Sequence, residues 1–229
     1  MYRVIVFDAY GTLFDVYSIA ALAERLYPGH GAAVSTLWRD KQIEYSRLIS
    51  MSDPHGVGGS RLYQPFWELT RSALAYALKR LKLDAAGPNI DALMDQYARL
   101  RAFPENLQVL QALKLMGLQT AILSNGSPDM LASAVASAGM HGYLDQVISV
   151  DEVRHFKTMP ESYALVQRHF PGARQEVLFV SSNAWDAVGA GWFGFDTFWV
   201  NRADAPFEEI GPRPTHSGVD LRHVLEVVR

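Results

Sequence analysis

The fold is decided by residues 4–14, which read VIVFDAYGTLF. The first four, Val4–Phe7, are apolar and mostly β-branched, which is typical of a strand buried on both faces of a parallel sheet. The run ends at Asp8, and a polar turn containing Gly11 follows. This pattern predicts the first strand of an α/β domain, with a carboxylate at the carboxyl edge of the sheet.

The rest of the chain falls into two parts. Residues 15–98 carry apolar side chains at helical spacing and show no convincing strand. From residue 104 onward, short apolar runs alternate with helical periodicity. The predicted strands lie at 120–123, 147–150, 177–180 and 197–200, and a closing helix lies at 220–228. We therefore predict a Rossmann-like parallel sheet with helices on both faces as an α/β core domain (1–14 and 99–229), interrupted by an all-helical cap domain (15–98).

The composition is that of an ordinary globular chain. The 229 residues are 49% hydrophobic, and 21 Lys and Arg against 24 Asp and Glu give a net charge of −3. This balance disfavours nucleic acid or an anionic membrane as a partner. The absence of cysteine excludes a disulfide scaffold, a cysteine-ligated metal and a thiol nucleophile. The N-terminal apolar run is too short for a signal peptide and no run is long enough to span a membrane, so we expect a cytoplasmic protein.

Polar side chains follow several of the predicted strands. They are Asp8, Tyr10 and Thr12, then Ser124 and Asn125, then Lys157 in a loop, then Ser181, Ser182, Asn183 and Asp186. The carboxyl ends of parallel strands form one crevice, where a carboxylate can act as a nucleophile and a neighbouring cation can hold it ionised. Each residue alone has a structural explanation, such as a helix cap or a turn. The functional interpretation rests on their falling in order at the strand ends of one sheet.

These residues resemble the four motifs of the haloacid dehalogenase superfamily. The stretch DAYGTLF at 8–14 resembles the first motif, and SNG at 124–126 resembles the second. Lys157 resembles the third motif, and SSNAWD at 181–186 resembles the fourth. The resemblance runs through essentially the whole chain, including a helical cap inserted after the first motif. Because the superfamily holds both phosphatases and dehalogenases, it does not by itself decide the reaction.

One position of the first motif separates the two reactions. Superfamily phosphatases have Asp-x-Asp there, and the second Asp protonates the leaving alcohol beside a bound Mg²⁺. The second position here is Tyr10, a poor acid near neutral pH because the usual pKa of tyrosine is about 10, whereas a halide leaves without a proton. Lys157 would also compete with a metal for Asp186. We therefore predict no metal and no cofactor, and the run at 181–186 resembles the metal-independent L-2-haloacid dehalogenases.

That resemblance implies a two-step reaction. Asp8 would attack C2 of a short L-2-haloalkanoic acid and form an ester, and water would then attack the Asp8 carbonyl carbon to release a D-2-hydroxy acid. Arg39, in the cap stretch LWRDKQIEY at 37–45, would abstract the halide, since a guanidinium stays charged and stabilises a departing anion.

The resemblance also implies what the other site residues do. Asn125 would receive the halide together with Arg39, and Trp185 would form an apolar wall. Ser124 and backbone amides near Tyr10 would hold the substrate carboxylate, while Lys157, Asn183 and Asp186 would position or activate the water. Thr12 and Ser181 would hold Asp8 in line for attack, and Tyr163 matches an active-site position of the family. The predicted partners are a 2-haloacid and its halide, with no nucleic acid and no membrane, and the family implies a homodimer.

Two alternatives remain at this point. One is a Mg²⁺-dependent phosphatase or phosphonatase of the same fold, and the other is a catalytically inactive member that serves as a binding protein. The chain also departs from the family pattern at three places, one of which is the cap loop at 54–60, which is longer than usual. Thr158 follows Lys157 where the family usually has proline, and Arg47 stands where a tryptophan often follows the Tyr-Ser or Tyr-Thr pair of the cap. These departures bear on the range of substrates more than on the reaction.

Overall fold

The computed structural model describes residues 1–228, in which one six-stranded parallel sheet has the order β3-β2-β1-β4-β5-β6. The strands are β1 Val4–Phe7, β2 Gln119–Ser124, β3 Gln146–Ser149, β4 Val177–Ser181, β5 Asp196–Val200 and β6 His216–Gly218. The predicted α/β class is confirmed, as are the five predicted strands to within a residue or two at their ends. Arg229, the last residue of the predicted core domain, lies outside the described residues.

The strand β1 lies at the centre of the sheet and determines where the residues that follow it are placed. All four residues of β1 are buried, as expected for a strand with neighbours on both sides and helices on both faces. Phe7 lies level with Ile122 of β2 and with Val180 of β4. Because the three strands are parallel and in register, the residues that follow them emerge at one edge of the sheet.

The helices of the sheet domain follow the strands in alternation. They are α5 Asn106–Leu115, α6 Pro128–Ser137, α7 Pro160–His169, α8 Ala184–Phe193 and α9 Val224–Val227. Both α6 and α7 begin with proline, which suits the first helical turn because its missing N–H would have no partner there. Gly194 ends α8 in the left-handed conformation with φ +100, and α8 packs on β4 and β5.

The inserted region folds into four helices, as the periodicity predicts. They are α1 Ala20–Leu26, α2 Gly31–Ser52, α3 Phe66–Arg80 and α4 Gly87–Tyr97. The long helix α2 packs against α1 and α3. Two buried hydrogen bonds tie it to Thr70 of α3, one from Trp38 Nε1 to the carbonyl oxygen at 2.7 Å and one from Gln42 Nε2 to Oγ1 at 2.9 Å. These bonds fix the rotation of α2 and therefore the direction in which Arg39 points.

The C-terminal region differs from the sequence prediction. The edge strand β6 pairs with β5 although its three residues have no apolar run. The helix predicted at 220–228 is instead a 3₁₀ turn, Leu221–His223, followed by the short α9. The Asp220 carboxylate accepts a hydrogen bond from the Arg222 N–H at 2.8 Å and so caps the 3₁₀ turn. Within residues 1–228, no helix combines the length and the hydrophobicity needed to cross a membrane.

Candidate active site

The polar residues predicted at the strand ends lie together in the structure. Asp8 follows β1, Ser124 ends β2 and Ser181 ends β4. Lys157 comes from the loop before α7, and Asp186 from the first turn of α8. The resulting site lies at the carboxyl edge of the sheet, where parallel α/β folds place their ligands.

The Asp8 carboxylate is held by three donors. Its Oδ2 accepts from Thr12 Oγ1 at 3.0 Å and from Asn183 Nδ2 at 2.8 Å, while its Oδ1 accepts from Lys157 Nζ at 3.1 Å. The side chain is almost completely buried. Oδ2 accepts two of these hydrogen bonds and Oδ1 accepts one, so Oδ1 keeps more lone-pair capacity for bonding to a ligand. The arrangement offers an oriented carboxylate in a site that excludes most water.

Lys157 joins two buried carboxylates. Its ammonium lies 3.1 Å from Asp8 Oδ1 and 2.8 Å from Asp186 Oδ2, and only 1% of its side chain is exposed. Burial alone would lower the pKa of Lys157, but Asp186 and Asp8 offset that effect and the net pKa is raised. The lysine therefore stays charged at neutral pH, and its single positive charge offsets part of the negative charge of the two carboxylates.

Asp186 is the carboxylate behind this lysine and is fully buried. Tyr163 Oη donates to its Oδ1 at 2.7 Å. Burial raises the pKa of Asp186 to about 6, although Lys157 acts in the opposite direction. A carboxylate with a pKa near the working pH can accept a proton from a water molecule, which is what a general base requires.

Two predicted contacts differ from what the structure shows. The resemblance places Ser181 at Asp8, but its Oγ donates to Asp186 Oδ2 at 3.4 Å and accepts from the Asn183 N–H at 3.1 Å. Tyr163 was grouped with the substrate-binding residues, but it is fully buried under Asp186 and does not line the cavity. Both side chains end beside Asp186 and contact that carboxylate.

Arg39 reaches the site from the cap helix α2. Its Nη2 donates to the Tyr10 carbonyl oxygen at 3.1 Å and to Asn183 Oδ1 at 3.2 Å. Gly11, at φ +97, makes the turn that brings this backbone against the Asn183 side chain, since such a conformation suits glycine. Asn183 thus contacts both Arg39 and Asp8, and it places the guanidinium and the carboxylate in one cavity.

The cavity in front of Asp8 is small and mixed in character. Its lining consists of Asp8, Tyr10, Arg39, Ile43, Ser46, Phe66, Ser124, Asn125 and Trp185. The space left inside is about 10 Å³, close to the minimum that one water molecule needs. Sequence reasoning missed Ile43 and Ser46, although their spacing from Arg39 is that of one helix face and could have revealed them.

The residues of the second motif are placed to offer donors to a ligand. Ser124 Oγ accepts from the Gly126 N–H at 3.0 Å, and Asn125 Oδ1 accepts from the Lys157 N–H at 2.9 Å. Within residues 1–228, the Asn125 Nδ2 group has no hydrogen-bond partner. It is therefore available to an anion in the cavity.

Tyr10 is a wall of this cavity and a poor acid. Its ring stacks on that of Tyr97 at a centroid distance of 5.5 Å. Burial raises its pKa well above that of a free tyrosine. The phenol therefore keeps its proton at neutral pH. Tyr10 occupies the motif position at which superfamily phosphatases have an aspartic acid.

The described residues do not form a metal-binding cluster. Among residues 1–228, no three His, Cys, Asp or Glu side chains are grouped so that they could hold a metal ion. The space between Asp8 and Asp186 is taken by the Lys157 ammonium. A divalent cation would have to displace this ammonium to reach both carboxylates.

Comparison with known proteins gives consistent matches over nearly the whole chain. Residues 2–194 match the sequence profile of haloacid dehalogenase-like hydrolases. The (S)-2-haloacid dehalogenase of Pseudomonas sp. strain YL is 41% identical over 223 residues, which cover 97% of this chain and 93% of that protein.

Two solved structures are also similar to this chain. The L-2-haloacid dehalogenase RSc1362 superposes with a TM-score of 0.95 and 53% identity, covering 99% of this chain and 98% of that one. The L-2-haloacid dehalogenase of Xanthobacter autotrophicus with chloropropionic acid covalently bound gives a TM-score of 0.90 and 39% identity, covering 100% of this chain and 99% of that one.

Proposed function

The chain belongs to the haloacid dehalogenase-like hydrolase family, and from that premise we propose that it hydrolyses the carbon–halogen bond of short L-2-haloalkanoic acids. The products are the D-2-hydroxy acid, the halide and a proton. One observation carries the proposal. The buried Asp8 carboxylate and the Arg39 guanidinium line the same small cavity, and Asn183 is hydrogen-bonded to both. This pairs a nucleophile with a cation that can receive a halide.

The first step is displacement at C2. Asp8 Oδ1 attacks C2 from the side opposite the halogen, the C–X bond breaks, and the electron pair leaves with the halide. Arg39 and the free Nδ2 of Asn125 receive the halide, because a buried guanidinium and amide stabilise developing negative charge. The aromatic wall of Trp185 keeps water away from the carbon. The product of this step is an ester on Asp8 with inverted configuration at C2.

The second step is hydrolysis of that ester. Water attacks the Asp8 carbonyl carbon and gives a proton to Asp186, whose carboxylate is kept in place by Lys157 and Tyr163. The bond between the Asp8 carbonyl carbon and the ester oxygen then breaks, and that oxygen leaves with C2 and takes up the proton held by Asp186. The new carboxyl group of Asp8 loses its proton to solvent, so the hydroxyl oxygen of the product comes from Asp8. Covalent chloropropionate in the Xanthobacter autotrophicus protein supports such an intermediate here.

A Mg²⁺-dependent phosphatase is the second candidate, and Tyr10 argues against it. A phosphate ester needs a proton on its leaving alcohol, and the buried phenol of Tyr10 has a raised pKa. That candidate predicts turnover of p-nitrophenyl phosphate that needs Mg²⁺ and stops with EDTA. An inactive binding protein is the third, and it fits poorly with a site in which Asp8, Lys157 and Asp186 are all present.

The deciding experiment measures halide release from L- and D-2-chloropropionate in EDTA, beside Mg²⁺-dependent hydrolysis of p-nitrophenyl phosphate. We expect chloride from the L isomer alone and no phosphate. Phosphate without chloride would overturn the proposal in favour of the phosphatase. Asp8→Asn serves as the control, because it should abolish chloride release while the circular dichroism spectrum and melting temperature show a folded protein.

We also propose a homodimer, a cytoplasmic location and the division into a core (1–14 and 99–229) and a cap (15–98). The resemblance to the family supports the dimer, and light scattering should then give twice the 25.5 kDa chain mass. The absence of cysteine suits a reducing compartment, which cell fractionation would test. The packing of α1 to α4 on one another supports the cap, and limited proteolysis at its two junctions would test the boundaries.

A further inference from the structure

The cavity at Asp8 has a larger cleft beside it. This outer cleft has a volume of about 460 Å³ and is lined by Asp40, Ile43, Glu44, Arg47, Leu48, Met51 and Trp185. Ile43 and Trp185 also line the cavity at Asp8, so these two side chains form the wall between the two spaces. Because the cavity has room for only about one water molecule, a substrate that enters from this side must pass that wall.

Arg47 lies at this wall. It is one helical turn after Ile43 on α2, and its guanidinium carbon is 4.8 Å from the centroid of the Trp185 ring. The side chain is half-buried, and within residues 1–228 it makes neither a hydrogen bond nor an ion pair. Its stacking on Trp185 is a weak cation–π contact that leaves the planar N–H groups of the guanidinium without acceptors.

The charges around Arg47 make it the group in the outer cleft that can bind an anion. The outer cleft carries the carboxylate of Asp40, and Arg47 is the one cation among its lining residues within the described chain. The Glu44 carboxylate at its rim is paired with Lys41 at 2.7 Å. Glu208 lines a neighbouring pocket with Arg47 but forms no ion pair with it in the described chain. The substrate is itself an anion, and the protein has a net charge of −3. An approaching carboxylate is repelled by Asp40, and beside the wall it meets a guanidinium that has no ion pair of its own within the described chain.

We propose that Arg47 binds the carboxylate of the incoming 2-haloacid in the outer cleft, before the substrate passes Trp185 to reach Asp8. Arg47 is therefore a recruiting residue and not a catalytic one. The inference rests on the proposed function, because it assumes an anionic substrate for the Asp8 cavity. It also gives a use to the arginine that stands where related caps often have tryptophan.

The test is a split between KM and kcat for L-2-chloropropionate. Arg47→Met keeps the aliphatic stem and removes the charge, and it should raise KM about tenfold while kcat stays within about twofold, the effect of losing one charged hydrogen-bond donor. Arg47→Lys keeps a cation and should stay near the wild-type KM. Raising the sodium sulfate concentration should increase the wild-type KM by screening, and it should change the KM of Arg47→Met much less.

Three further variants separate charge from packing. Arg47→Trp places an uncharged aromatic ring against Trp185, so packing is kept without the cation and its KM should rise as in Arg47→Met. Asp40→Asn removes a repelling carboxylate from the same cleft and should lower KM. Arg3→Met is the matched control, because Arg3 precedes β1 at the opposite edge of the sheet and pairs with Glu176 there, and its KM should not change.

The outcomes distinguish this inference from the proposed function. Chloride release by the wild-type enzyme reports on the function alone, whereas the ratio of variant to wild-type KM reports on Arg47. A wild-type KM in both Arg47→Met and Arg47→Trp would overturn the inference and leave the dehalogenase intact. A loss of kcat at unchanged KM would also overturn it, because Arg47 would then act on the Trp185 wall during the reaction. Absence of chloride from the wild type would overturn the proposed function itself.

Discussion

Lys157 Nζ lies 3.1 Å from Oδ1 of Asp8 and 2.8 Å from Oδ2 of Asp186, so one buried ammonium serves both carboxylates of the site. In the proposed reaction, the first carboxylate is the nucleophile and the second accepts a proton from water. The cation between them lets both be ionised in the same small volume, where two unpaired carboxylates would repel each other. The two chemical steps are therefore linked through a single side chain.

Replacing this lysine should destabilise the protein in a pH-dependent way. Lys157→Met leaves Asp8 and Asp186 buried without a cation, and we expect a loss of about 3–5 kcal/mol in the free energy of unfolding near neutral pH. Burial raises the pKa of Asp186 and Lys157 opposes that effect, so without the cation the folded-state pKa of Asp186 lies still further above its unfolded value. The contribution of Asp186 to stability is then present at acid pH and lost as the pH rises through its folded-state pKa.

Urea unfolding at two pH values checks this prediction. The deficit of Lys157→Met against wild type should be smaller at pH 5 than at pH 7.5. Lys114→Met is the control, because Lys114 pairs with Asp145 at 2.7 Å where both side chains are about one-third exposed, and such pairs contribute less than about 1 kcal/mol. A deficit that is equal at both pH values would contradict the linkage of Lys157 to two buried carboxylates.

The pH profile of turnover should report on Asp186. Burial raises its pKa to about 6, so kcat should fall as the pH drops through about 6 and the carboxylate takes up a proton. Tyr163 donates to this carboxylate at 2.7 Å and favours its charged form. Tyr163→Phe should therefore move the acid limb to higher pH, as expected of a positioning residue. If the limb stays in place while kcat falls uniformly, Tyr163 has only a packing role.

Arg39 should act on the first step and not on the second. Arg39→Met removes the cation that receives the halide, and we expect ester formation to slow by about 10²–10³-fold, the size of effect seen for one electrostatic stabiliser. Rapid quenching of a single turnover, followed by mass spectrometry of the Asp8 peptide, measures ester formation and decay separately. Equal slowing of both steps would argue against a halide role.

The sequence predicts the parts of the site that depend on topology. The sequence predicts that Asp8, Ser124 and Asn183 lie together because parallel strands end at one edge of a sheet, and that rule does not depend on side-chain detail. Lys157 lies in a loop, and its place at the site is predicted by the resemblance to the family motif. The short edge strand β6 was not predicted because its three residues have no apolar pattern. They are extended because they pair with β5.

Contacts between neighbouring side chains could not be predicted in the same way. Ser181 and Tyr163 were placed in the right region, but which carboxylate each hydroxyl meets depends on packing between β4, α7 and α8. The stacking of Arg47 on Trp185 joins the cap helix α2 to α8 of the core. Because the two residues are far apart in the sequence, no local pattern predicts this contact. Ile43 and Ser46 could have been found, since they follow Arg39 on one face of α2.

The most direct test of the account is a single turnover in H₂¹⁸O with enzyme in excess over L-2-chloropropionate. If Asp8 forms the ester and water attacks its carbonyl carbon, the D-2-hydroxy acid from this first turnover carries unlabelled oxygen, and the label appears in the Asp8 carboxylate. A product labelled at its hydroxyl in the first turnover, with Asp8 unlabelled, would mean that water attacks C2 directly and would contradict the central role assigned to Asp8.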